Sequence, residues 1–155
     1  MSSEQPYEIE LVRCKGDDWH ESMLATITGL TKKEIRRKLP AEMQKPGGWR
    51  GSWFPRAARL LGFSTTDKFR KWDAGTPWPC IMRVQVPDAW GWKGKWWALV
   101  YNQGLVYCVN AHQYVPSIPG VCPLAEWQAM YPGCRVTSML QIWMSTSSSL
   151  AGAER

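Results

Sequence analysis

Residues 16–30, Gly-Asp-Asp-Trp-His-Glu-Ser-Met-Leu-Ala-Thr-Ile-Thr-Gly-Leu, constrain what this chain can fold into more than any other stretch. A Gly-Asp turn leads into a short helix in which Met23, Leu24 and Ile27 share one face at helical spacing. Asp17 or Asp18 is placed as N-cap, because a carboxylate there can accept the unpaired amides of the first turn. Gly29 closes the helix in the left-handed conformation that glycine adopts without penalty. The apolar face then has to be buried against a sheet supplied by later residues.

Downstream signals supply that sheet and two further helices. Residues 7–12 alternate weakly (Tyr7, Ile9, Leu11) and read as a leading strand or extended arm. Thr31 and Glu34 form a capping box ahead of a second helix over 31–39, whose narrow apolar stripe is Ile35 and Leu39. A loop with Pro46-Gly47-Gly48 follows. A third helix spans 52–61, capped by Ser52, with Pro55 in its first turn and Trp53, Ala57, Leu60 and Leu61 facing inward. Residues 64–79 read as irregular, and 81–86 as a strand. Residues 87–95, with Trp90 and Trp92, read as an exposed aromatic loop. Residues 96–101 and 105–109 form a hairpin whose turn uses Gly104. A Pro-rich link, a short helix from Pro123 to Met130 and a last strand over 136–144 complete one domain, residues 1–144. Residues 145–155, rich in Ser, Ala and Gly, read as a disordered tail.

This order resembles the papain-like cysteine peptidase superfamily in its bacteriocin-processing form. That pattern runs Asp-Cys-Gly, a small residue, Ala-Leu-Ala, two apolar residues and Thr-Gly-Leu; Asp18, Leu24-Ala25 and Thr28-Gly29-Leu30 match it. Leu-Gly-Phe at 61–63, the strand over 81–86 and the hairpin match the order that follows. The resemblance covers most of residues 8–110. It implies an α+β, papain-like fold, N-terminal helices packed on a small antiparallel sheet. It also implies degenerate catalytic positions. The nucleophilic Cys falls on Trp19, and the catalytic His on Lys95, Trp96 or Trp97. The orienting acid falls on Cys108, and the oxyanion Gln near Arg13 or Cys14. With Trp19, Trp96 and Trp97 there, indoles are expected to fill the old cleft. Small proteins of this look occur among phage-encoded reading frames, so the resemblance implies attachment to a virion or interference with a host factor.

Composition narrows the chemistry. At 155 residues, 45% hydrophobic and 21% charged, the chain is globular. It has no apolar run long enough to span a bilayer and no signal-peptide pattern at its start, so a cytoplasmic location, in a host or in a virion, is expected. Five scattered Cys with no Cys-x-x-Cys pair, and only two His, argue for reduced buried thiols and against a zinc site; no cofactor is implied. Relocated Cys14–His112 or Cys108–His20 dyads remain as a hydrolase reading, with Glu21 or Asp17 as possible bases. No phosphate loop and no Gly-x-Ser-x-Gly elbow is present.

Two features point to binding. Eleven Trp exceed what a small core needs, and Trp is enriched at interface hot spots. A net charge of +6 permits an acidic or nucleic-acid partner. Candidate binding residues are Trp49, Arg50, Trp90, Trp92 and Trp96, together with Lys32, Lys33, Arg36 and Arg37 on the second helix. Three functions follow. The leading one is an inactive papain-like protein that binds a protein partner. The others are a cysteine hydrolase with relocated residues, and a basic nucleic-acid binder that also uses Arg56 and Arg59. An exposed Trp loop also makes a homo-oligomer credible.

Overall fold

The computed structural model describes residues 8–14, 18–44, 49–92, 94–109 and 120–144. Its architecture is α+β. Helices α1 (Trp19–Thr28), α2 (Lys32–Lys38) and α3 (Phe54–Leu60) precede a seven-stranded sheet, and α4 (Leu124–Met130) comes before its last strand. The strands are β1 (Phe63–Thr65), β2 (Arg70–Lys71), β3 (Cys80–Gln85), β4 (Trp96–Asn102), β5 (Leu105–Tyr107), β6 (Val121–Pro123) and β7 (Arg135–Met144). The order is β1-β7-β3-β4-β5-β6, every pairing is antiparallel, and β2 joins the same side of β7 as β1.

The sheet is buried on both faces, because successive side chains of a strand point opposite ways. Ile81, Val100, Tyr107, Leu140 and Ile142 meet α1, α2 and α3. Cys80, Met82, Val84, Trp97, Leu99, Val106 and Met139 meet Trp127 of α4 and the 87–92 segment. Helix α1 lies deep in the first layer, with residues 20 to 27 all buried. Gly29 caps it at φ 78°. Asp18 occupies the N-cap position, but its side chain makes no capping bond. Its carboxylate instead accepts from Lys32 Nζ at 2.6 Å, so the cation of α2 competes successfully for it. Helix α2 is capped as expected, with Glu34 N–H donating to Thr31 Oγ1 at 3.1 Å and Thr31 N–H to Glu34 Oε1 at 2.9 Å.

Several expectations need correcting. Ser52 does not cap α3; it sits exposed in a 3₁₀ turn, Gly51–Trp53, that leads into the helix. That tighter turn shifts the phase of the apolar stripe. Phe54, Ala57, Ala58 and Leu61 face the core, while Leu60 is 43% exposed. Residues 64–79 are not wholly irregular, since β1 and β2 pair there with β7. Strand β6 was also unforeseen; it pairs with β5. The leading segment is an arm and not a strand, held by Val12 N–H to Thr26 Oγ1 (2.9 Å) and Cys14 N–H to Val109 O (2.8 Å). The hairpin turn matches expectation, with Gln103 at φ 48° and Gly104 at φ 87°. No described helix is long and apolar enough to cross a membrane. Asp17, His112, the Pro-rich link and residues 145–155 lie outside the described residues.

Candidate functional site

The N-terminal start of α1, the approach to α3 and the entry to β4 meet at one cleft of about 850 Å³. Five indoles (Trp19, Trp49, Trp92, Trp96 and Trp97) and two phenyl rings (Phe54 and Phe69) line it. Gly51, Ser52, Pro55, Asp67, Lys68, Arg83, Gly94 and Ala98 complete the lining.

Two aromatic groups fix the walls. On the helical side Trp49 stands edge-on to Trp53 (5.4 Å, 87°) and Phe54 (5.0 Å, 61°), and Trp19 edge-on to Phe54 (6.1 Å). Behind Trp49, the buried His20 imidazole stacks parallel to its indole at 4.4 Å and 11°. On the sheet side Trp92 contacts Trp97 (6.1 Å), which packs on Trp127 (5.8 Å) and Tyr131 (5.5 Å). Each wall is therefore anchored in a different core layer.

The floor follows from strand register. Arg83 of β3 lies opposite Ala98 of β4 on one side and Ser138 of β7 on the other. Ser138 in turn pairs with Lys71 of β2, just after Phe69. Trp96 shares a face with Ala98 and is 41% exposed. The Arg83 guanidinium lies 4.2 Å from the Trp96 ring and 5.9 Å from the Phe69 ring. Among the described residues Arg83 has no ion-pair partner, whereas Asp67, the one acid of the lining, takes Arg59 at 2.8 Å.

The predicted site residues separate into groups. Trp19, Trp49, Trp92, Trp96 and Trp97 converge on the cleft, and Arg50 adjoins it through Gly51, over the Trp53 ring at 6.0 Å. The three indoles expected to fill the cleft wall it instead. The basic residues of α2 line none of it. Lys32 is tied to Asp18, and Arg36 to buried Glu21, with Nε at 2.9 and 3.1 Å from its two oxygens; Lys33 and Arg37 are exposed. Glu21 is thus an anchor of α2 and not an available base. Trp90 lies off the cleft among Trp92, Trp97 and Tyr131, so the two indoles of the 87–95 loop are half-buried against the sheet, while Asp88, Ala89, Gly91, Gly94 and Lys95 are exposed. Sequence reasoning missed Arg83, whose role appears only once β3 is flanked by β4 and β7.

The described cleft lining contains no Cys and no His. Cys108 lies in the α4-side core and His20 in the helical layer, so the structure does not bring that pair together. Burial pushes the Cys80 and Cys122 thiols up, and Cys134 up to about 11, the opposite of what an activated nucleophile needs. Only Cys14 is part-exposed, and it does not line the cleft. The arrangement can bind through stacking, apolar contact and the cations Arg83 and Lys68; among the described residues its lining holds no thiol beside an imidazole. No protein-family model matches the chain, and no characterised protein matches its sequence significantly.

Proposed function

We propose that this chain is a catalytically inactive papain-like domain that binds a partner protein through the Trp-lined cleft. One observation carries the reading: the helix start and hairpin start, where the resemblance implies a nucleophile and a histidine, converge on an open cleft and carry Trp19, Trp96 and Trp97. The order of elements supports the papain-like part, with helices α1 to α3 ahead of the antiparallel sheet. The cleft lining supports the binding part, since rigid indoles give large contact area at low cost in side-chain entropy. A virion-associated or host-factor-interfering role rests on the resemblance alone.

The alternatives draw less support. The hydrolase reading needs a thiol beside an imidazole, and its Cys108–His20 form has them in different layers. The nucleic-acid reading needs the α2 cations beside the indoles, and the cleft lining contains none of them.

Selection of peptide ligands from a random displayed library, followed by fluorogenic peptide hydrolysis assays, tests this reading. Ligands of the wild-type chain are expected to lose about tenfold or more in affinity on Trp96→Ala, as truncating a hot-spot indole does. No thiol-dependent hydrolysis is expected. Turnover abolished by Cys14→Ala or Cys108→Ala would establish the hydrolase reading instead. Ligands indifferent to both Trp96→Ala and Trp49→Ala would remove the cleft as the binding site.

A further inference from the structure

The cleft is apolar but not neutral. Arg83 presents a guanidinium from its floor, flanked by Trp96 and Phe69. Such a cation is partly desolvated, and among the described residues no carboxylate balances it. The neighbouring charges do not reverse this sign. Asp67 is engaged by Arg59, Lys68 adds a second cation to the lining, and Arg50 stands beside it. A guanidinium held over a ring can still offer its planar fork to a carboxylate, a geometry that Lys cannot reproduce. The low local dielectric strengthens that pairing above its value at an open surface.

The floor also has a direction. Across the strands, Phe69 and β2 lie on one side of Arg83, with Ala98 and Trp96 on the other. Aromatic surface therefore extends both ways from the cation. A ligand whose carboxylate ends the chain uses one side only. A segment that continues past an acidic side chain in both directions uses both. Aromatic-lined grooves favour proline-rich segments, which are already extended and lose little entropy on docking.

Building on the protein-binding reading above, we propose that the occupant is an extended, proline-rich segment of the partner with a Glu or Asp side chain paired to Arg83. Phe69 on one side of that pair and Trp96 on the other hold the flanking apolar residues. Arg83 sets the preference for an acidic partner, and the indoles supply most of the contact.

Trp-free peptides, acetylated and amidated so that only the side chain carries charge, test this by quenching of the protein's own indole fluorescence. One peptide is a proline-rich run with a central Glu, and its control carries Gln. The wild-type chain is expected to bind the Glu peptide about tenfold more tightly than the Gln peptide, consistent with one desolvated charge pair. Arg83→Gln is expected to abolish that difference while keeping the wild-type urea midpoint within error. Arg83→Lys should restore it only in part, and Trp96→Ala should weaken both peptides. Equal affinity for the two peptides in the wild-type chain would overturn the acidic preference and leave protein binding standing. Binding of neither peptide would overturn the inference. Steeply salt-dependent binding of oligothymidylate by the same cleft residues would overturn the protein-binding reading with it.

Discussion

His20 shows how a polar side chain can be kept in this core at a cost. It is 4% exposed, stacked on Trp49, and neither ring nitrogen has a hydrogen-bond partner among the described residues. Burial pushes its pKa below the ordinary 6.5; Glu21 and Asp18 pull it back up, and Arg36 pushes it down. Burial is the largest influence, so the folded chain holds His20 neutral. In the unfolded chain the group takes a proton near pH 6.5. The unfolded state therefore binds more protons between the folded pKa and 6.5, and stability falls as pH drops through that window. Above about pH 6.5 this contribution is fully present. His20→Phe keeps a ring against Trp49 and removes the titration. The variant is expected to lose less of its urea midpoint than the wild type between pH 7 and pH 5. Equal losses would show that other groups, not His20, set the acid sensitivity of the Trp49 wall.

At the scale of elements, α2 is short and highly basic, and it stays in place through its cap, its two apolar residues and two clips to α1. Ile35 and Leu39 are buried, and Lys32 and Arg36, one turn apart, reach Asp18 and Glu21. Of the acids, Glu21 is buried, so removal of its partner leaves a carboxylate without compensation. Arg36→Ala is expected to cost about 1–3 kcal/mol of stability in urea unfolding, and Arg37→Ala, exposed on the same helix, within about 0.5 kcal/mol of nothing. Equal costs would mean that the clip contributes no more than helix propensity. Local rules made this helix and the end of α1 legible in sequence, because Thr31, Glu34 and Gly29 act within a few residues of themselves. The hairpin was legible for the same reason, through Gly104. What escaped sequence reasoning depends on distant partners. Strands β1, β2 and β6 have two or three residues each, too few for an alternation to register, and exist because β7 and β5 present open edges to them. The face of α3 was misjudged by a 3₁₀ turn that no single residue announces. The cleft was half legible. Trp19, Trp96 and Trp97 were placed together by the resemblance, but whether they fill or wall the space depends on how far α3 stands from β3, which only packing decides.

For the whole molecule, the sheet separates two core layers with different chemistry. The helical layer is aliphatic around α1, and the other holds Trp97, Trp127, Tyr101 and four thiols, Cys80, Cys108, Cys122 and Cys134. The aromatic wall of the cleft grows out of this second layer, since Trp97 packs on Trp127 beneath the cleft. A binding surface built of large rings keeps its shape only if the layer under it is close-packed. The thiols report on that packing without substitution. A buried thiol with a raised pKa reacts only when the structure opens, so its alkylation rate is the unfolded-chain rate scaled by the population of the open state. At pH 7.5, Cys14 is expected to alkylate fastest of the five in native protein, read by mass spectrometry of digested peptides. Cys80, Cys122 and Cys134 should react together and orders of magnitude more slowly than in urea, because one cooperative layer holds all three. Cys122 or Cys134 reacting well before Cys80 would mean that the α4 side opens independently of the sheet. The Trp92–Trp97 wall would then be a mobile surface, and ligand affinity should rise when α4 is stabilised. A thiol reacting faster than in urea would instead reveal an activated thiolate, which a cleft built only for binding does not need.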